Sequence, residues 1–421
     1  MAQKKLNVVV LGGGVAGFEF ITRAAQHPDH QHLNFILIDK SHLHIWKPML
    51  HTFAAGSQSP DEQSIPFLSQ AKRCGYVYQP GEVIDIDQQQ KKVTLAAYYN
   101  DENTEILPER YIDYDYLVVT LGSRSNDFNT KGVKEFAYVV DDLQAALKFQ
   151  KDLQDEVIKA AILKKVHHLI IVGAGATGVE LAGEIIQQLQ AASSYSNEDF
   201  TQYIDLTLIE AGDRVLPTFK PNISENIRQS MEKIGIRVLL NSAVEEITAT
   251  SVTLKSGEVF QSDQAVWTAG VKAPDVLTKF KDVELSRINQ LAVNKHFQLL
   301  NDPNVFAIGD SSFVKDSPLA PTAQVASQQA VYLSKNFSAI VDQSPNIPDF
   351  KYIDRGSLVS VGRYASFGVF GNNTAFKGLS FRGFTAKIAH VFLYRQHQMH
   401  ILGIWRGLCA WLADKFRRWS R

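Results

Sequence analysis

Cysteine is scarce: the 421 residues contain two, Cys74 and Cys409, far apart and in no C-x-x-C arrangement. A disulfide framework and a cysteine-based metal cluster are therefore excluded, no metal site is expected, and a reducing, cytoplasmic setting is the default. Long apolar runs are also missing. No window of about 18 apolar residues exists, so no transmembrane helix is predicted. Lys4 and Lys5 before an apolar run imitate a signal peptide, but Gly12, Gly13, Gly14 and then Glu19 interrupt it and no small-residue cleavage site follows. That run reads as a buried strand. Net charge is nearly absent as well, at −1, and nothing in it calls for a nucleic-acid partner.

The neutral total conceals an asymmetry. From Phe381 onward eight Lys/Arg stand against Asp414 alone, whereas the preceding residues carry 35 basic and 43 acidic groups. Such a basic end suits an anionic surface. With 45% apolar and 21% charged residues the chain is globular, and its length predicts two or three domains.

What is present begins with LNVVVLGGGVAGFEFITRAA. A β-branched apolar run leads into Gly12-x-Gly14-x-x-Gly17 and then a helical pattern. The glycines serve a tight turn, close approach of backbone to a diphosphate, and close helix–strand packing, with the diphosphate resting on the N–H groups of the helix N-terminus. The next strand ends at Asp39, 22 residues after Gly17, near the offset of about 20 for an acid that binds ribose hydroxyls. The pattern recurs in HHLIIVGAGATGVELAGEII as Gly173-x-Gly175-x-x-Gly178, and IDLTLIE ends at Glu210. Here the offset is 32, and the polar insertion at 191–200 accounts for the excess. A carboxylate at Glu210 accepts from a 2′-hydroxyl and repels a 2′-phosphate, favouring NAD over NADP; Arg214 nearby weakens that preference.

Two Rossmann units imply two dinucleotides, a resident flavin and a visiting nicotinamide. YDYLVVTLGS carries Thr120 and Gly122, and DQAVWTAG carries Ala269 and Gly270, as an apolar strand and small turn behind each unit. NDPNVFAIGDSS ends in Gly309-Asp310, where a carboxylate could meet ribityl hydroxyls or simply cap a helix.

The sequence resembles the two-dinucleotide flavoprotein reductases and, within them, the type II NADH:quinone oxidoreductases of bacterial type, the single-subunit respiratory dehydrogenases that pump no protons. The likeness rests on GGGVAG, SHLHIWKPMLHTFAAG, VGAGATGVELAGE, VWTAGVKA, VFAIGDSS, APTAQVASQQA, KYIDRGSLVSVGR and VFLYRQHQMHILG. It implies an α/β fold of two Rossmann-like dinucleotide-binding domains plus a C-terminal membrane-associating region with amphipathic helices. The boundaries expected are 1–130 with 271–345 for FAD, 131–270 for NAD, and 346–421 for membrane association and the quinone site.

The resemblance further implies FAD contacts from Gly12, Gly14, Gly17, Asp39, Lys47, Pro48, Thr120, Gly122, Asp310, Ala323 and Gln324. The implied NAD contacts are Gly173, Gly175, Gly178, Glu180, Glu210, Ala269 and Gly270. Four catalytic residues are implied. Glu180 positions the nicotinamide or tunes charge, although an acid in a first helical turn also complements the helix dipole. Gln324 and Gln328, four apart on one helical face, line a quinone pocket, or else occupy a solvated face. Lys377 offers a cation near the quinone or flavin, or a plain surface charge. Disulfide reductases of this architecture need a cysteine pair that this chain lacks, so electrons must leave for a diffusible acceptor, ubiquinone or menaquinone. A ferredoxin- or rubredoxin-type protein acceptor and a non-catalytic, NAD(H)-responsive membrane-docked scaffold remain open alternatives.

The tail IWRGLCAWLADKFRRWSR holds three of the five tryptophans. Trp405, Leu408, Leu412, Phe416 and Trp419 step by three and four along one helical stripe, with cations largely elsewhere, as in a helix lying in a membrane interface or one burying against another subunit. The expected partners are a lipid surface and a second copy of the chain. The expected location is peripheral, on the cytoplasmic face of the inner (cell) membrane. His397 and His400, three apart, could ligate a metal, but no such site is assigned to them.

Overall fold

The computed structural model describes residues 5–100, 102–371, 380–383, 395–399 and 401–420. Apolar runs flanked by glycine form two five-stranded sheets, both parallel throughout. In the first, Val305–Ala307, Tyr116–Val119, Leu6–Leu11, Leu33–Asp39 and Val77–Pro80 lie in that spatial order. In the second the order is Ala137–Val139, Gln264–Trp267, His167–Val172, Ile204–Ile209 and Arg237–Leu239. Parallel strands are buried on both faces, which is why they read as continuous apolar runs. Val8 to Leu11 are fully buried. Along His167–Val172 the two-residue period divides the side chains between two cores, with Leu169 and Ile171 in one and Ile170 and Val172 in the other.

Each parallel sheet is accompanied by a three-stranded antiparallel one. Val83–Asp87, Lys92–Leu95 and Arg110–Asp113 form the first such sheet, and Val244–Ile247, Ser251–Leu254 and Val259–Gln261 the second. The chain passes from the first half to the second and back along a narrow ribbon, in which Arg124–Ser125 pairs antiparallel with Val271–Lys272. Because the chain returns, the first sheet is completed by a strand (Val305–Ala307) about 200 residues downstream of its neighbours. Behind that strand, the Ala323–Val341 helix packs on the Val15–Ala24 helix through Phe20 and Phe337, ring centroids 5.7 Å apart. The Ser327 hydroxyl donates to the buried Glu19 carboxylate at 2.6 Å.

A third antiparallel sheet, Gly356–Val361, Ala365–Phe370 and Ser380–Arg382, lies against the Ala176–Ser194 helix. Gly183 permits this contact: a Cβ there would fall 2.8 Å from the Gly362 nitrogen. Residues 395–399 and 401–402 are helical and, after Gly403 (φ +84°), the Ile404–Ser420 helix follows. Among the described residues no helix is long and apolar enough to cross a membrane.

Candidate active site

Both glycine motifs occupy the turn between a central strand and the following helix, and the two turns have the same internal wiring. Gly12 (φ +97°) and Gly173 (φ +106°) take the left-handed conformation that glycine favours. A Cβ would approach the Thr120 carbonyl oxygen to 2.6 Å in the first turn and the Ala269 nitrogen to 2.7 Å in the second. At Gly17 and Gly178 a Cβ would meet the carbonyl oxygen of Gly12 or Gly173 at 2.0 Å, so the close helix–strand packing expected of the third glycine is observed. Around Gly14 and Gly175, by contrast, a Cβ would meet nothing within 4 Å. Open space therefore lies above each helix start, and the first-turn N–H groups there have no partner within the helix. This open, donor-rich cradle fits a dinucleotide diphosphate at both turns.

The acids at the ends of the second strands brace these turns. Asp39 Oδ2 accepts from Gly13 N–H at 2.6 Å and its Oδ1 from Ser41 N–H at 2.7 Å. Glu210 Oε2 accepts from Ala174 N–H at 2.7 Å and its Oε1 from Gly212 N–H at 2.8 Å. Burial raises the Asp39 pKa, and the two amide donors oppose that rise. Arg214, expected to dilute the preference for a 2′-hydroxyl, turns to Asp213 and the Pro217 carbonyl.

Thr120 donates its hydroxyl to the carbonyls of Leu11 and Gly12 at 2.8 and 2.7 Å. Thr268 does the same for Val172 and Gly173 at 3.0 and 2.9 Å. Sequence reasoning passed over Thr268, although the repeated threonine-to-glycine turn signalled it. A Cβ at Gly122 (φ +70°) would meet nothing within 4 Å, whereas one at Gly270 (φ +62°) would run into the Phe128 ring.

A second group of expected residues converges beside the first turn. Lys47 and Pro48 belong to the short helical turn Lys47–Met49. Lys47 Nζ donates to the Ser123 carbonyl at 2.6 Å, and the Ser123 hydroxyl donates to Asp310 Oδ2 at 2.7 Å. Ser123, not among the expected site residues, thus joins Lys47 to Asp310. Burial lowers the Lys47 pKa, while Asp141 and Asp310 pull it back up. Asp310 does not cap a helix: it lies inside the turn Gly309–Ser311, whose preceding residue is Ile308. The Ala323–Val341 helix begins nearby with Ala323, and Thr322 caps it by accepting from Val325 N–H at 3.3 Å.

The expected catalytic residues fall in two places. Glu180 is 6% exposed, enclosed by its own helix, by His51 of the Leu50–Ala54 helix and by the third sheet. Its Oε1 accepts from Ser360 N–H at 3.1 Å, and its Oε2 stands 3.5 Å from His51 Nδ1. Burial, reinforced by Glu184, pushes its pKa up to about 8 against the Ser360 amide. Gln324 and Gln328 are half-buried, and both bond to backbone. Gln324 donates to the Gly356 carbonyl at 3.2 Å and accepts from Arg355 N–H at 2.7 Å. Gln328 donates to the Ile353 carbonyl and accepts from Ile353 N–H, both at 2.9 Å. The pair fastens residues 353–356 to the helix. Lys377 lies outside the described residues, as do His400 and the side chains of Asp414, Arg417, Arg418 and Trp419.

On the Ile404–Ser420 helix, Trp405 and Phe416 are 81% and 67% exposed, with Ile404 and Leu412 exposed beside them and Leu408 half-buried. Cys74 is buried and Cys409 exposed, and neither has a neighbouring cysteine in sequence.

Comparison with known proteins follows from this geometry. The family described as pyridine nucleotide-disulphide oxidoreductase matches residues 6–330. A protein named type II NADH:quinone oxidoreductase from Haemophilus influenzae is 34% identical over 99% of this chain and 98% of its own. One of the same name from Staphylococcus aureus is 29% identical over 90% and 94%. Among solved structures, NDH2 from Plasmodium falciparum in complex with NADH superposes with a TM-score of 0.81 at 22% identity, covering 94% of this chain and 97% of that one. The sulfide:quinone oxidoreductase of Aquifex aeolicus superposes with a TM-score of 0.74 at 17% identity, covering 94% and 92%. The structural likenesses establish the shared fold.

Proposed function

This chain belongs to the type II NADH:quinone oxidoreductase family, and from that premise we propose how its own residues carry the activity. The protein is an FAD-dependent NADH dehydrogenase that reduces quinone. NADH gives up a hydride, and the quinone gains two electrons and two protons, one of them from the medium. The bound FAD supplies the chemistry that accepts a hydride on one side and returns an electron pair on the other. The observation that carries the assignment is the pair of open glycine cradles, each braced by its own carboxylate, in a chain with no neighbouring cysteines to pass electrons onward.

Residues 1–130 with 271–345 hold FAD, through Gly12, Gly14, Gly17, Asp39, Thr120 and Gly122 at the diphosphate end and Lys47, Pro48, Asp310, Ala323 and Gln324 farther along. Residues 131–270 hold NADH through Gly173, Gly175, Gly178, Glu210, Ala269 and Gly270. Glu210 selects a free 2′-hydroxyl, and NADH is oxidised faster than NADPH. Lys47 keeps a cation against Ser123 and Asp310, where negative charge rises on reduction.

Glu180 keeps a proton at neutral pH in a site walled from water, and it serves as a proton source close to the nicotinamide-facing helix. Gln324 and Gln328 hold residues 353–356 as one wall of the quinone pocket, each amide keeping a second N–H for a quinone oxygen. Residues 346–421 form the membrane-facing part. The exposed Trp405, Leu412 and Phe416 rest in the interface on the cytoplasmic face of the cell membrane, among the tail's cations, and two copies associate as a homodimer.

Stopped-flow mixing tests the assignment. The purified protein is yellow, NADH bleaches it, and a short-chain ubiquinone restores the colour within one turnover. NADH-reduced protein that quinone leaves bleached, while a ferredoxin or rubredoxin reoxidises it, would replace this reading with the protein-acceptor one.

A further inference from the structure

Gly13, in the first glycine turn, is held at both its polar atoms. Asp39 takes its N–H, and the Gly13 carbonyl lies 2.8 Å from His44 Nδ1. A carbonyl only accepts, so His44 carries its proton on Nδ1 and offers Nε2 as an acceptor. That Nε2 lies 2.9 Å from His397 Nε2, which must therefore be the donor. His44 is buried, and burial pushes its pKa down to about 4, so the neutral tautomer persists across the physiological range. The Gly13–Gly14 peptide is trans. Fixing the carbonyl on the His44 side therefore aims the Gly14 N–H the opposite way.

Residues 395–399 and 401–402 are themselves anchored on elements around this turn. Trp46, next to Lys47, lies against the His397 ring at a centroid distance of 4.0 Å. Gln70 donates to the Ile401 carbonyl at 2.9 Å, and Arg73 donates to the carbonyls of Ile401 and Leu402. Both belong to the Phe67–Cys74 helix, whose Phe67 ring fills the place where a Gly13 Cβ would point. The second glycine turn is built differently. Its equivalent carbonyl, Ala174, accepts from the Leu216 backbone N–H at 2.8 Å, a donor from within the same half of the molecule. The first turn is braced through His44, whose own partner His397 lies 353 positions farther along the chain; the second is self-contained.

We propose that His397 is a positioning residue for the first glycine turn: its Nε2–H fixes His44, His44 fixes the Gly13 carbonyl, and the docking of residues 395–399 and 401–402 thereby controls how tightly FAD is retained. The inference rests on FAD binding at that turn.

The test compares the parent with H397F and H397Q, each isolated as holoenzyme. FAD release after dilution is followed by the rise in flavin fluorescence, and NAD+ affinity by tryptophan quenching. Phenylalanine keeps the packing against Trp46 and loses the donor, whereas glutamine keeps an N–H. H397F releases FAD about tenfold faster, the scale of one lost hydrogen bond. H397Q stays within about twofold of the parent on the same reasoning, and NAD+ affinity is the same in all three. Equal release from H397F and the parent overturns the proposal. So does a parallel fall in NAD+ affinity, or an H397Q that releases FAD as fast as H397F. A parent that holds no FAD defeats the underlying assignment instead.

Discussion

Glu180 Oε2 stands 3.5 Å from His51 Nδ1, and both side chains are buried between the two halves of the chain. The Glu180 pKa of about 8 lies above its unfolded value near 4.5. Between those values the folded protein holds a proton that the unfolded chain has given up, so this carboxyl costs stability progressively as pH rises from 4.5 to 8. The full difference is on the order of 5 kcal/mol. Gln imitates the protonated acid at every pH. E180Q is therefore expected to melt above the parent at pH 9, with the gap closing towards pH 5, as thermal unfolding at the two pH values will show. The same substitution removes the proton, and quinone reduction in E180Q is expected to fall about 100-fold in single-turnover measurements, the low end of general-acid effects.

Asp39 and Glu210 brace equivalent amides in two separate cradles, so their effects separate by ligand. D39N replaces an acceptor with a mixed group and weakens a charge-assisted bond of about 1.5–3 kcal/mol. FAD release is expected to quicken at least tenfold with the KM for NADH unchanged. E210Q is expected to raise the KM for NADH at least tenfold, narrow the margin over NADPH, and leave FAD in place. Fluorescence and steady-state kinetics on both variants check the division.

The glutamine pair makes a narrower prediction. Q328E keeps an acceptor for Ile353 N–H but cannot donate to the Ile353 carbonyl, and Q324E likewise cannot donate to Gly356. Each loses roughly 1 kcal/mol of anchoring. The KM for quinone is expected to rise about fivefold, in line with that loss, while the KM for NADH holds. A matched rise in both constants would remove the pair from the quinone wall.

The exposed Trp405 and Phe416 are expected to carry lipid binding. Removing the chain after Gly403 should release the protein from anionic vesicles on co-sedimentation. W405S/F416S should weaken partitioning about 100-fold, since each aromatic buried is worth roughly 1.5–3 kcal/mol. High salt alone should release less than the double variant, because salt screens the tail's cations and leaves apolar burial intact.

The two sheets, the glycine turns and their acids were legible because each is a local pattern: an apolar run, three small residues, a carboxylate at a fixed offset. Thr268 was equally local and went unnoticed beside Thr120. The remaining features are long-range. Glu180 holds its proton because distant segments bury it against the pull of the Ser360 amide, and no window around Glu180 contains them. Gln324 and Gln328 looked like a helical face because residues 353–356, which consume half their hydrogen bonds, lie beyond a proline-rich link. His397, read with His400 as a metal-like spacing, instead pairs with His44.

One strand placement bears on how the protein is made. The first parallel sheet ends in Val305–Ala307, beside Tyr116–Val119, and its core includes Phe306 and Phe337. Chains emerge from the ribosome amino end first, at about 5–20 residues per second. When residue 267 has been made, every strand of the second sheet exists, whereas the first still lacks an outer strand and the helix that carries Phe337. The half that begins later is thus the first to complete its parallel sheet, although Val359, Val361 and Phe367 join its core only later. The half that begins the chain waits with part of its apolar surface uncovered for tens of seconds at the slower translation speeds. That nascent half is where a chaperone has most to hold, and where a stalled messenger leaves the most aggregation-prone fragment.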